Sequence, residues 1–371
     1  MHMRQRAGRG DDGQGTVEYV GLGVVVTALI GTLLAIGPGV MDRAHGAVDA
    51  VYCSLATGAH CGDQASAKTP ASSDDPTGGS PTSPDAAPSA TTSTYAPDPL
   101  TPRGIAESGD YVALGDSYSS GEGADDYQPG TDVDTNRCHR SANAYGQQVY
   151  NGGNFAGGFS FGACSGGVVE DYFGPNQTNA GERPQRDLIT KDTSLITISM
   201  GGNDFGFADV LSHCMFHGCA NDKYLAELRQ RIAVEAGQLV DMYRDMRERA
   251  GPDARVIVVG YPHLFDVNGN HGLSLSSPIT AAERRFLNNM SDMANQAIRD
   301  SIATADSGIE FVDIRNAYAG HEIGSDAPWI HDLSLHWDWG NTGPNPSSFH
   351  PTQAGQGAIR DAVNQQIDEG P

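Results

Sequence analysis

Five short apolar runs punctuate the chain after its first hundred residues: Tyr111–Leu114, Phe159–Gly162, Leu195–Met200, Val256–Val259 and Phe311–Ile314. Their length and aliphatic content are those of strands. Between the last three the apolar period changes. Leu225, Leu228, Ile232, Leu239 and Tyr243 recur at helical spacing, and so do Phe286, Met290, Met293, Ala297 and Ile298. Thr280 and Glu283 stand where a capping box would open the second of these helices. Strands separated by helices require crossover connections, so the pattern predicts an α/β fold: a mostly parallel five-stranded sheet between two layers of helices. Ligands of such sheets bind beyond the carboxyl ends of the strands. No internal repeat interrupts the pattern.

The N-terminal part reads differently. Arg4, Arg6 and Arg9 precede an uncharged run of 23 residues from Tyr19 to Met41, enough to cross a bilayer core of roughly 30 Å as one helix. The basic side is expected to stay cytoplasmic, which puts the rest of the chain outside. The run is longer than a signal-peptide core and does not end in a small-residue cleavage site, so a retained transmembrane helix is expected over residues 16–41. Residues 42–63 form a juxtamembrane segment. Residues 64–103 consist largely of Ser, Thr, Pro, Ala, Gly and Asp, with too few aliphatic groups to offset the entropy of ordering, and read as an extended tether. The α/β domain then occupies 104–371. The segment Gly13-Gln14-Gly15-Thr16-Val17-Glu18-Tyr19 resembles the processing site of Flp-type and TadE-like pilin precursors, in which cleavage follows a Gly and a Glu-Tyr pair stands at the fifth and sixth mature positions. That resemblance implies cleavage after Gly13 within the basic leader segment 1–15, retention of the helix and a partner in pilus-type assembly machinery.

Charge narrows the partners. The chain carries 46 Asp and Glu against 23 Lys and Arg, a net charge of −23; residues 104–371 hold 36 acidic and 17 basic residues. Such acidity argues against nucleic acid, whose phosphates need Lys and Arg, and against attraction to an anionic membrane surface. Six cysteines, Cys53, Cys61, Cys138, Cys164, Cys214 and Cys219, all follow the apolar run. An even count in an exported chain reads as disulfides, and although six allow fifteen pairings, neighbours are expected to join: Cys53–Cys61, Cys138–Cys164 and Cys214–Cys219. The alternative, a metal held by His213, Cys214, His217 and Cys219, has irregular spacing and the wrong compartment.

Four loops at strand ends carry residues suited to chemistry. Gly115-Asp116-Ser117-Tyr118-Ser119 follows the first strand, and a Ser placed there can face a cleft; read alone, it is a common turn or helix cap. Cys164-Ser165-Gly166-Gly167 follows the second, exposing backbone N–H groups, or is simply a tight turn. Gly201-Gly202-Asn203-Asp204 follows the third, and Asn203 offers a neutral donor to a developing oxyanion. Near the C-terminus, Ser347-Ser348-Phe349-His350-Pro351 places a His in a loop before a helix expected from Thr352.

Together and in this order, the four segments resemble the SGNH (GDSL-type) hydrolase superfamily over about residues 107–365, and most of all its secreted actinobacterial esterases, lipases and phospholipases. The resemblance implies Ser117 as nucleophile, His350 as general base, and the Ser117 and Gly166 amides with the Asn203 side chain as oxyanion hole, with Gly167 the neighbour that competes with Gly166. It implies acyl transfer on ester substrates without metal or cofactor. Where most of the family has an Asp three residues before the His, this chain has Ser347, so a Ser–His dyad oriented by a carbonyl around Ser347 or Ser348 is expected. Asp116 and Asp204 read as loop-holding residues. The segment Trp329–Trp339 contains all three Trp, either packing at the cleft rim or forming an acyl- or sugar-binding lip. The reading is a membrane-tethered extracytoplasmic serine esterase acting on lipid or small acyl esters. Alternatives are a glycan O-acetyl esterase and a non-catalytic pilus- or envelope-associated binding subunit.

Overall fold

The computed structural model describes residues 101–269, 279–338 and 341–371. The segments expected to form the basic leader, the transmembrane helix, the juxtamembrane segment and nearly all of the tether, and the expected Cys53–Cys61 pair, lie outside the described residues. No helix among the described residues is long and apolar enough to cross a membrane.

The described fold begins inside the stretch read as tether. Thr101 caps a short helix, α1 (Pro102–Ala106), through its side chain, and Arg103 in that helix pairs with Glu107 and Asp368. Along the chain then come β1 (Asp110–Gly115), α2 (Ser117–Ser120), α3 (Tyr145–Gly152), β2 (Phe159–Phe161), α4 (Val169–Phe173) and β3 (Thr193–Ser199). After these follow α5 (Phe207–His217), α6 (Asp222–Arg249), β4 (Arg255–Val259), α7 (Ala281–Ala305), β5 (Glu310–Val312) and α8 (Gln353–Glu369). Each expected strand is present within two residues at either end, and the expected capping box opens α7, with Thr280 and Glu283 each bonded to the other's backbone N–H. Leu335–Asp338 and Asn341–Pro344 pair as a separate two-stranded sheet.

The five strands lie in the order β2-β1-β3-β4-β5, and every neighbouring pair is parallel. From β1 the chain steps one way to β2 through α3; it then returns across β1 to β3 and keeps that direction to β5. With right-handed crossovers, this reversal puts α3 on one face and α4–α7 on the other. The packing follows that division: α8 lies against α1 and α3, while α6 lies against α4 and α7. Strands covered on both faces must be apolar on both, and β3 and β4 are buried at every position. Each fully buried Leu, Ile or Val among them contributes roughly 1.5–3 kcal/mol of hydrophobic stabilisation. A buried ion pair at the sheet's amino end, Arg255 with Glu310, is further satisfied by the carbonyls of Gln366 and Ile367 at the end of α8.

The reversal of direction between β1 and β3 opens a crevice at their carboxyl ends, the place where sheets of this type bind ligands. The loops after β1 and β3 carry Ser117 and Asn203.

Candidate active site

Ser117 is the first residue of α2. Asp116, which caps that helix, accepts from the Tyr118 amide at 3.0 Å and from the Ser199 hydroxyl at 2.7 Å on one carboxylate oxygen, and from the Tyr261 hydroxyl on the other. The carboxylate thus ties the turn after β1 to the ends of β3 and β4. Burial pushes its pKa up to about 6 despite those donors. Tyr261 also accepts the Gly202 amide at 2.9 Å, so one phenol joins the Ser117 turn to the loop of Asn203.

The hydroxyl of Ser117 lies 2.8 Å from Nε2 of His350. The two come from opposite ends of the domain, and a second set of contacts fixes the His. Residues 329–331 run antiparallel to 349–352: the Phe349 amide donates to His331 O, the His331 amide to His350 O and the Thr352 amide to Trp329 O. Phe349 holds φ = 65°, a left-handed conformation that a bulky residue adopts only when its surroundings enforce it; its carbonyl accepts from the Tyr118 hydroxyl at 3.0 Å. The neighbour of Ser117 therefore grips the neighbour of His350. Burial lowers the pKa of His350, against the opposing influence of the Glu122 charge and of the Pro346 and Ser348 carbonyls, so the ring is a neutral acceptor at neutral pH.

Nδ1 of His350 is buried and meets no partner in full hydrogen-bond geometry. The carbonyls that favour its proton are those of Pro346 and Ser348. Both carbonyls are near neighbours of the ring. Ser347, at the position of the usual acid, turns away: its hydroxyl donates to Asn345 at 2.9 Å and its carbonyl accepts the His350 amide.

The second and third loops meet beside Ser117. Cys164 is bonded to Cys138, and its amide donates to Gly115 O. That disulfide closes a loop of 26 residues, which in chain-entropy terms raises stability by about 3.5 kcal/mol. Gly166 has φ = 78° and an open Cα face, whereas a Cβ on Gly167 would stand 3.1 Å from Gly115 O and 3.5 Å from Asp116 Cα. Gly167 lets the loop lie on the Ser117 turn, and its own amide donates to the Cys164 carbonyl at 2.9 Å. Among the described residues, the amides of Ser117 and Gly166 donate to no protein acceptor. The Asn203 side chain donates to Gly167 O at 2.8 Å, which brings its amide to the same loop. Asp204 accepts the Val169 amide, and burial raises its pKa to about 6; it holds the loop between the second and third segments.

Other sequence-selected residues fall elsewhere. Cys214 and Cys219 are bonded to each other, which takes both thiols from any metal, and His213 stacks on Tyr224. Trp329 stacks on His321 with ring centroids 3.5 Å apart and lines a hollow with Gln353 and Ala358 of α8; no contact of its ring with Ser117 or His350 is among those described. Within the same segment, His331 reaches the Gly123 carbonyl at 2.8 Å through Nε2. An apolar groove of about 460 Å³ between α6 and α7, lined by Ile232, Val240 and Met293, contains none of the site residues. Sequence reasoning did not select Tyr261, Tyr118, Glu122 or His331. Only the Gly-Tyr-Pro step after β4 and the Glu embedded in a Gly-rich turn carried any local sign of them.

Residues 113–358 match the model of the GDSL-like lipase/acylhydrolase family. A lipase of Streptomyces rimosus is 34% identical over 248 residues, covering 67% of this chain and 82% of that protein. Two solved structures share the fold. Phospholipase A1 from Streptomyces albidoflavus NA297 has a TM-score of 0.55 at 34% identity, over 70% of this chain and 99% of that one. An extracellular lipase from Streptomyces rimosus has a TM-score of 0.56 at 31% identity over the same shares. With a family match across most of its α/β domain and relatives above 30% identity, the chain belongs to the GDSL-like lipase/acylhydrolase family of carboxylic ester hydrolases.

Proposed function

We propose that this protein is a tethered extracytoplasmic serine esterase that works through Ser117 and His350. The observation that carries the reading is the 2.8 Å contact between Ser117 Oγ and His350 Nε2, formed at the topological crevice of the sheet. A serine hydroxyl is a weak nucleophile until a base takes its proton. Here Nε2 accepts that proton as Oγ bonds to the ester carbonyl carbon. The carbonyl oxygen becomes an oxyanion, received by the Ser117 and Gly166 amides and the Asn203 side chain. Collapse breaks the bond to the alcohol, which leaves with the proton from Nε2; water then repeats the cycle and frees the acid. The Pro346 and Ser348 carbonyls support the tautomer with a proton on Nδ1, so a dyad suffices.

The relatives act, by their names, as lipases and a phospholipase A1, which favours acyl-lipid esters as substrate; small acyl esters fit the same chemistry. The apolar run before residue 42 and the Pro/Ser-rich stretch after it support a membrane tether with the catalytic domain outside the cytoplasm.

The test is hydrolysis of p-nitrophenyl acetate, butyrate and palmitate by the full chain in mild detergent beside Ser117→Ala. Turnover that the variant abolishes supports the esterase, and its chain-length profile separates lipase-like from deacetylase-like roles. Equal rates from both proteins would remove Ser117 as nucleophile and return weight to a binding subunit.

A further inference from the structure

Five residues after the nucleophile stands a carboxylate that the reaction as written does not use. Glu122 is 1% exposed. Nδ1 of His139 lies 2.5 Å from one of its oxygens, and the Tyr127 hydroxyl donates to the other at 3.1 Å. Tyr127 stacks on His139 with ring centroids 4.7 Å apart, and Nε2 of His139 reaches the exposed Asp132 at 3.2 Å. A buried carboxylate is costly unless it is paired and hydrogen-bonded, and this one has been given partners on both oxygens.

The next residue along touches the base. The Cα of Gly123 faces His350 so closely that a Cβ there would stand 3.2 Å from His350 Cβ and 3.0 Å from the His331 ring. The Gly123 carbonyl accepts from His331, whose own backbone carries His350 O. Glu122 is thus held on the turn that packs against the catalytic imidazole, whose flanking position 347 bears no acid.

We propose that Glu122 is a positioning residue for this reaction, a fixed buried negative charge beside His350 that favours its protonated form and takes over the electrostatic part of the missing triad acid. The inference rests on the Ser117–His350 reading above. Electrostatics agree in sign from both sides. After burial, which lowers it, the largest influence on His350 is the Glu122 charge, which raises its pKa; burial would raise Glu122, but His139 and the charge of His350 hold it below the usual range. His331 acts on His350 in the opposite sense. His139, when charged, offsets part of the Glu122 field, and Asp132 offsets part of His139, so the line of two carboxylates and one imidazolium stays net negative. Asp125 also faces Tyr127. The imidazolium exists only after Ser117 has given up its proton, so a charge that favours it stabilises the transition state more than the resting enzyme.

The experiment is the pH profile of kcat/KM on p-nitrophenyl butyrate for the full chain, Glu122→Gln and His139→Gln, with the His350 titration followed by NMR. Glu122→Gln keeps shape and removes charge: the acid limb and the His350 pKa should move down by about half a unit or more, with kcat about three- to tenfold lower. His139→Gln removes the compensating cation while keeping a donor to Glu122, and should move the limb up. The two variants have opposite signs, so either one alone is decisive if the other does not fold. An unmoved limb in a folded variant, or a shift against the stated sign, overturns the proposal and leaves Glu122 a structural part of its turn. Loss of the Ser117→Ala control difference would instead defeat the underlying dyad.

Discussion

The Tyr118 hydroxyl donates to the carbonyl of Phe349 at 3.0 Å, joining the residue after Ser117 to the residue before His350. Tyr118 is fixed in turn by Gln356, whose side-chain amide donates to its carbonyl while Gln356 Oε1 accepts the Tyr145 amide. Through these contacts α8 and α3, which pack together on one face of the sheet, set the separation of Ser117 and His350. Effective proton transfer needs that separation held within a fraction of an ångström.

If the base is oriented by backbone, the side chain at 347 is dispensable. Ser347→Ala should keep kcat/KM within about threefold, because its hydroxyl is spent on Asn345, whereas His350→Gln should lose about a thousandfold or more. Steady-state kinetics on a soluble ester checks both, and a loss above tenfold in Ser347→Ala would mean that the side chain, not the carbonyls, orients the ring.

Asn203 should be felt in kcat rather than KM. Removing one oxyanion donor costs about a hundredfold to a thousandfold in kcat, and the lost bond to Gly167 O adds about 1 kcal/mol of instability. Asn203→Ala is therefore expected to fold, melt slightly lower and bind substrate nearly as before. Unchanged kcat would leave the Ser117 and Gly166 amides as the whole oxyanion hole.

Acid inactivation should precede acid unfolding. Because burial lowers the pKa of His350 below the ordinary 6.5, kcat/KM should stay level through neutral pH and fall only as the pH drops through that lowered value, where the ring becomes charged and can no longer accept the Ser117 proton. Asp116 and Asp204 act on stability in the other direction. With folded pKa values of about 6 against an ordinary 3.8, the native state binds more protons than the unfolded chain between those limits. Their contribution to stability therefore grows as the pH falls from about 6 to about 4. Asp313, held at about 2 by Arg315 and Arg299 against its burial, loses its contribution only as the pH falls from 3.8 through 2. Melting curves measured beside the rates should show turnover gone while the fold persists; unfolding in step with activity would contradict this assignment.

What the sequence determined by itself is what local chemistry dictates. Period and length separate strands such as Leu195–Met200 from helices such as Asp222–Arg249, because a strand buried on both faces needs a continuous apolar run while a helix against a sheet needs only one stripe. Thr280 and Glu283 announce the start of α7 by a bond pattern confined to four residues. Ser117, Gly166, Asn203 and His350 are legible because each sits in a turn whose glycines or proline mark it, and two of the three expected disulfides joined nearest neighbours. Tertiary structure decided what depends on chain segments far apart. The 233 positions between Ser117 and His350 close to 2.8 Å only because the sheet reverses its direction between β1 and β3 and α8 returns to the α3 face. The approach of Gly167 to Gly115 and Asp116, and the bond of its amide to the Cys164 carbonyl, are contacts that no local pattern encodes. Tyr261 and Glu122 escaped notice for the same reason: a phenol and a carboxylate gain meaning from burial and from the groups facing them, and burial is a property of the packed fold.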